Sequence, residues 1–358
     1  MPPLQRLRSL LRREPLKRAG ARRAHVCQIV DRLAADGIGS RVAGVCNGLD
    51  PRRFVASCLG LGPRDPLALD WLEPRVETWG PVGSEAEQER QVTGILARYG
   101  VDLIHAHGTR SLGIAARAAG RMGLPLVVTG HGGPMRRVAA SAAALLATTE
   151  KVADEMARQL DIARERIATV PTGVDTERFR PPYDRALLRQ ALDVSADELV
   201  LGGVGDVATV EGIAGALGVR GIVIGAADDE GEEGARVTVL PRVRDVESVL
   251  GAMDILIFNG AGDSPPVIVL EAMACGLAVV ATASAGAAAV IDDAATGALV
   301  SSPAELRAVV ARLAGDAGLR RALGQAARRK VERDHPLESM VEPHARLYAT
   351  LRPQVASF

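Results

Sequence analysis

The stretch Asp263-Ser264-Pro265-Pro266-Val267-Ile268-Val269-Leu270-Glu271-Ala272-Met273-Ala274-Cys275-Gly276 decides how this chain is read. Its two prolines suit the first turn of a helix, where the amides have no intrahelical partner and a missing N–H is no loss. Asp263 then falls in the loop before the helix, and Glu271, eight positions on, falls on its second turn. The apolar run Ala278 to Thr282 predicts the strand that comes next. A helix followed closely by such a strand belongs to a parallel sheet.

Outward from this stretch the same grammar repeats. Runs at Leu199 to Gly205, Ile222 to Gly225, Val237 to Leu240, Ile255 to Phe258 and Ala298 to Ser301 predict strands. Helices are expected at Val246 to Ala252, Val267 to Cys275 and Pro303 to Arg333, the last broken near Gly315 to Gly318. The first half has its own strands at His25 to Val30, Phe54 to Leu59, Val76 to Trp79, Val101 to His105, Leu124 to Thr129, Ala142 to Thr149 and Ile167 to Pro171. Between them lie helical stretches from near Ser40 and at Glu85 to Tyr99, Ser111 to Met122 and Glu150 to Leu160. Two doubly wound parallel sheets are the result. A turn glycine, Gly173, with Pro181 shortly after it marks the join between them, and Pro336 to Leu351 is the terminal helix.

The opening stretch resembles the signature of the retaining glycosyltransferases called family 4, Glu-x7-Glu ahead of Ala-Met-Ala-x-Gly-x-Pro-Val-Val. Thr172-Gly173-Val174-Asp175-Thr176-Glu177-Arg178-Phe179-Arg180-Pro181 resembles the same family's Asn-Gly-Val-Asp-x-x-x-Phe-x-Pro segment. The resemblance implies the α/β GT-B fold, two Rossmann-like doubly wound domains facing an interdomain cleft. Its divisions would be a basic segment at 1–24, an acceptor-side domain at 25–180, a donor domain at 181–335, and a helix at 336–358 crossing back to the first domain. It also implies transfer of a hexose-type sugar from a nucleotide-sugar to a hydroxyl of a glycan or lipid-linked acceptor, with retention and with neither cofactor nor metal. The alternative is a catalytically degenerate GT-B scaffold or partner subunit.

In that family the first carboxylate reaches hydroxyls of the donor sugar and the second holds the ribose, roles implied here for Asp263 and Glu271. Asp263 stands where Glu is expected and Ala278 where Pro is common; at Glu271 negative charge would suit the helix dipole in any case. Thr129-Gly130-His131-Gly132 looks like the family's His-Gly pair, which makes His131 the candidate for contact with the transferred sugar or acceptor, with His107 behind it. Gly37-Ile38-Gly39-Ser40-Arg41 resembles the Gly-Gly-x-Glu-Arg loop near the donor phosphates, with Ser40 in the Glu position; a tight strand-to-helix turn reads the same way. Gly205 to Gly212 stands where the family has Gly-Arg-Leu-x-x-x-Lys-Gly. Asp206 and Glu211 replace the two cations that grip the diphosphate there, so Arg41, Arg242, Arg244 and the Gly37 loop become the alternative holders. The acidic run Ala226 to Gly234 reads as a solvated loop from which a helix has been lost.

Composition bounds the rest. A chain of 358 residues suits about two domains, and 47% hydrophobic residues supply two cores. With 43 basic and 43 acidic residues there is no net field to draw nucleic acid, and 3% aromatics leaves few platforms for bases. Cys27, Cys46, Cys58 and Cys275 lack metal or redox spacing and read as thiols in a reducing compartment. No apolar run has the length of a membrane span, and residues 1–24 lack the apolar core of a secretory signal. The expected location is cytoplasmic. A peripheral position on the inner face of the cell membrane stays open, because residues 1–24 carry Arg6, Arg8, Arg12, Arg13, Lys17, Arg18, Arg22 and Arg23 with Leu4, Leu7, Leu10 and Leu11 at helical spacing. An interfacial helix on an anionic membrane surface and a solvated basic tail both fit. On the first, deleting residues 1–23 weakens binding to anionic vesicles and reduces its salt sensitivity. Equal vesicle binding by both proteins leaves only the tail.

Overall fold

The computed structural model describes residues 22–135, 137–225 and 236–351. Most of the expected interfacial helix at residues 1–24 and all of the acidic run Ala226 to Gly234 therefore lie outside the described residues. By internal packing the chain divides into two units, one running up to Gly173 and resuming at Leu337, the other spanning Val174–Pro336.

The first unit is a parallel sheet of β1 (Ala24–Val30), β2 (Phe54–Gly60), β3 (Glu77–Trp79), β4 (Leu103–His107), β5 (Leu126–Gly130), β6 (Ala144–Ala147) and β7 (Ile167–Thr169). Their order is β3-β2-β1-β4-β5-β6-β7, so the winding reverses between β1 and β4. The second unit is a parallel sheet of β8 (Val200–Val204), β9 (Arg220–Ile224), β10 (Val237–Leu240), β11 (Ile255–Phe258), β12 (Ala278–Thr282) and β13 (Ala298–Val300). Its order, β10-β9-β8-β11-β12-β13, reverses between β8 and β11. Ligand crevices in such sheets form at the carboxyl ends of the strands flanking the reversal.

Successive strand residues face opposite sides, and the first unit has two cores accordingly. Val26, Val30, Leu103 and Val127 face one core; Cys27, Ile29, Ile104, Ala106 and Val128 face the other. The helix Leu337–Leu351 lies on the first of these faces, where Tyr348 is 1% exposed. It rests on the helix Gly37–Gly48 at two glycines: a Cβ on Gly44 would come 3.1 Å from Leu337 and Met340, and one on Gly48 would come 2.5 Å from Val341. Any side chain at Gly48 would push the helices apart.

The join falls after Gly173 and not near residue 180, because Val174 and Phe179 are buried in the second unit's core and Val174 bridges Pro336. The expected break after Pro303 is real: Gly315 ends one helix, and Asp316 caps the next by accepting from the Leu319 amide. Among the described residues four α-helices had no counterpart in the sequence reading, Pro66–Asp70, Arg185–Ala191, Val207–Leu217 and Ala285–Ala288. β4 also ends later than expected, at His107, so His107 is a strand residue and not a loop residue.

Candidate functional site

At the reversal in the first unit, both helix starts are closed by aspartates. Asp36 accepts from the amides of Ile38 and Gly39 at 3.0 and 2.9 Å. This capping starts the helix at Gly37, ahead of the expected Ser40. The Ile38 and Gly39 amides are thus spent on Asp36 of the same chain. Gly39 is required for packing, since a Cβ there would stand 1.9 Å from the Ala34 carbonyl oxygen. Asp31 closes the helix Thr109–Met122 in the same way, accepting from the Ser111 amide at 2.6 Å.

Arg41 is not at the surface. It is 3% exposed and donates to Thr172 Oγ1 at 2.7 Å and to the Val170 carbonyl at 3.0 Å. Burial brings its pKa down to about 10, with Tyr348 pulling the other way. Arg41 serves the interior of this unit, and its positive charge bears on the histidines around it.

Those histidines form one polar strip, in which His105 and His107 are buried and His131 is half-buried. Gln28 on β1 pairs in register with His105 on β4, and His107 pairs with Thr129 on β5. His107 Nδ1 and His131 Nε2 are 3.0 Å apart, and His107 Nε2 is 2.8 Å from Gln28 Oε1. Burial holds His105 and His107 well below the ordinary imidazole range, and the nearby Arg41 and imidazoles add to this. Burial, then Arg41 and His344, bring His131 down to about 3. These rings are neutral at physiological pH. Among the described residues no group of three His, Cys, Asp or Glu is arranged to hold a metal ion.

In the second unit Asp206 caps the helix Val207–Leu217, accepting from the Thr209 amide at 3.1 Å and from Asn259 Nδ2 at 3.0 Å. Asn259 in turn accepts from Thr282 Oγ1 at 2.7 Å, so this chain crosses the carboxyl ends of β8, β11 and β12. Partial burial opposes ionisation of Asp206, but the bonds from Asn259 and Thr209 outweigh it and its pKa lies below the usual value. Gly205 takes φ +69°, with open space where a Cβ would be. Glu211 is exposed on the first turns of that helix.

The helix Val267–Ala274 starts without a side-chain cap. Its cap residue is Pro266, which has no side-chain acceptor, and the Pro266 carbonyl receives only the Val269 and Leu270 amides. Glu271 on this helix is 9% exposed. Burial raises its pKa to about 7, against the pull of Arg178 and with Glu247 adding to the rise. No hydrogen bond reaches its carboxylate from the described residues. Arg178 is held beside it, donating to Glu247 at 2.9 Å and to the Arg244 carbonyl at 3.1 Å. Arg242 and Arg244 are exposed. Asp263 is half-buried in a loop clamped by Gly286, whose Cβ would stand 2.0 Å from the Ser264 carbonyl oxygen.

Of the residues singled out by sequence, His131 and His107 are brought together, and Arg41 acts on both through its charge. Glu271 meets Arg178, which the sequence reading had only as part of a junction motif. Gln28 and Tyr348 were missed as well. Their one signal was a polar residue on each of two otherwise apolar faces.

Two family models match, "Glycosyltransferase Family 4" over residues 23–178 and "Glycosyl transferases group 1" over residues 207–316. A D-inositol 3-phosphate glycosyltransferase of Saccharomonospora viridis is 29% identical over 79% of this chain and 78% of its own length. One of that name from Mycobacterium bovis is 31% identical over 56% of this chain and 51% of its own. Among solved structures, a glycosyltransferase from Rickettsia africae superposes with a TM-score of 0.76 at 14% identity, covering 94% of this chain and all of that one. The Anabaena protein HepE, in complex with UDP-glucose, gives 0.74 at 19% identity, covering 91% of this chain and 99% of that one. These structural likenesses concern the fold, which is GT-B. Among the described residues no helix is long and apolar enough to cross a membrane.

Proposed function

Since this chain belongs to the family 4, group 1 glycosyltransferases, we propose that it moves a sugar from a nucleotide-sugar to a hydroxyl acceptor with retention, in glycan or lipid-linked saccharide assembly. The observation that carries this is Glu271: a carboxylate nine-tenths buried, with no hydrogen bond from the described residues and Arg178 beside it. A buried acceptor of that kind is suited to vicinal hydroxyls such as those of a ribose. Asp263 is the residue for the donor sugar, and His131, in the other unit, is the one for the transferred sugar or acceptor.

The leaving diphosphate needs positive partial charge as the glycosidic bond breaks. Family cations are absent at Asp206 and Glu211. The Val267 and Ile268 amides, left without a side-chain cap, supply a seat of the kind anions take at helix starts. Arg242 and Arg244 are the cations of this unit proposed to assist. The names of the relatives suggest a phosphorylated cyclitol as the acceptor to try first.

Asp206 and Glu211 also favour a second reading, a GT-B scaffold that has lost its grip on the donor. Calorimetry with a panel of nucleoside diphosphates, followed by incubation of UDP-glucose and related donors with D-inositol 3-phosphate, separates the two. Binding of a nucleotide, and a product that keeps the donor's anomeric configuration by NMR, is the expected result. Silence across the whole panel leaves the scaffold.

A further inference from the structure

Glu271 has a cation beside it that is bonded elsewhere. Arg178, in the segment just after the join, is fixed at three places other than Glu271. Its guanidinium donates to the Glu247 carboxylate at 2.9 Å and to the Arg244 carbonyl at 3.1 Å, and its Cζ lies 5.1 Å from the centre of the buried Phe179 ring. The backbone is held as well, since Asp175 accepts from the Glu177 and Arg178 amides, each at 3.0 Å. Among the described residues neither a hydrogen bond nor an ion pair reaches the Glu271 carboxylate, although each charge acts on the other.

An arginine free to swing would close on a buried carboxylate and take both its oxygens, because the fork of the guanidinium matches them. A ligand hydroxyl would then find no acceptor. A cation tied off nearby favours the ionised form through space and leaves the lone pairs unspent. Glu247 has two effects of opposite sign: it anchors Arg178, and its own negative charge disfavours ionisation of Glu271. On the packed helix Ala317–Asp334, Arg328 spends its guanidinium on the Phe179, Ala274 and Thr176 carbonyls and on Glu332. Burial pushes the Cys275 thiol up to about 12, so it is uncharged, and β11 and β12 carry no charged side chain.

We propose that Arg178 and Glu247 are positioning residues for Glu271, holding a positive charge close enough to keep its carboxylate ionised yet bonded elsewhere, so that both carboxylate oxygens serve the vicinal hydroxyls of a nucleotide's ribose. The proposal rests on the reading that Glu271 takes the ribose. Burial raises the midpoint of Glu271 to about 7, so nucleotide affinity climbs through neutral pH as the carboxylate forms. Without the Arg178 charge the midpoint moves up, and less of the protein carries the carboxylate at pH 7. Without the Glu247 charge it moves down. An ion pair kept only for packing gives no such opposition between its two partners.

Carbon-13 NMR on the full chain labelled at its glutamates follows the Glu271 carboxyl through neutral pH, assigned by the peak lost in Glu271→Gln, and calorimetry with UDP follows affinity over the same range. Arg178→Met should raise the midpoint. Glu247→Gln, which keeps an acceptor for Arg178, should lower it. Each should change the ionisation constant by about threefold or more, the modest size expected when the Arg178 side chain is 37% exposed. Arg178→Lys, which keeps the charge, should lie nearer the unmodified protein than Arg178→Met does. UDP affinity should follow: Arg178→Met lags most below its midpoint and catches up in alkali, whereas a generally weakened fold lags at every pH. The titration of UDP itself is common to all the proteins and cancels. Glu247→Gln carries the test if Arg178→Met does not fold. Midpoints that stay put, or that move the same way in both variants, overturn the proposal. Binding of 2′,3′-dideoxy-UDP as tight as that of UDP would instead remove the ribose reading beneath it, without touching the carboxyl titration.

Discussion

Glu271→Gln is expected to weaken nucleotide binding by about tenfold or more and, in the same protein, to raise stability above neutral pH. The first effect is the loss of a charge-assisted pair with ribose hydroxyls, worth about 1.5 to 3 kcal/mol. The second follows from linkage. Burial raises the folded pKa of Glu271 from 4.5 to about 7, so the folded state binds the proton more tightly than the unfolded one. Stability is then lost as pH climbs from about 4.5 to about 7, and the full deficit persists above that. A rise of this size corresponds to about 3 kcal/mol. Glutamine carries no charge to desolvate, so denaturant unfolding should show the two proteins closely matched near pH 4.5 and the variant ahead by that order at pH 8. A gap that does not change with pH would mean that Glu271 is not held protonated by burial.

Asp206→Arg with Glu211→Lys should tighten UDP binding by about tenfold or more. An acid about 4 Å from a phosphate oxygen is unfavourable by at most about 4 kcal/mol at an effective dielectric near 20, and solvent at this half-exposed site reduces that. Asp206 has a second duty, capping the helix Val207–Leu217, so its loss costs about 1 kcal/mol of stability. Glu211→Lys alone leaves the cap intact and should show part of the gain. If calorimetry finds no tighter binding in either variant, this segment does not lie beside the phosphates.

The regularity of the sheets was legible because the thirteen strands of the described residues announce themselves as short apolar runs between turn signals. What failed did so where a polar residue belongs to the interior. The run at β4 looked finished by His105 because imidazoles read as surface; their partners, Gln28 and Tyr348, are far off in sequence. Arg41 read as a phosphate ligand by position in a motif, whereas its burial depends on Thr172 and Val170, brought in by the fold. The helix Val207–Leu217 escaped notice because Gly212 and Gly215 dilute its pattern, although Asp206 was a readable cap. Glu271 was legible as a site residue. The pKa that makes it unusual was not, since that depends on what surrounds it.

The two glycines that let the terminal helix settle on Gly37–Gly48 have a consequence for the order of folding. A ribosome delivers the first unit's sheet early, but Tyr348 and the face that covers Val26, Val30 and Leu103 arrive only with the last helix. The second unit is one uninterrupted stretch, Val174–Pro336, and has everything it needs sooner. Domains usually mature in the order in which they are made; here the half begun first is the half finished last, and until then an open apolar face waits for its cover.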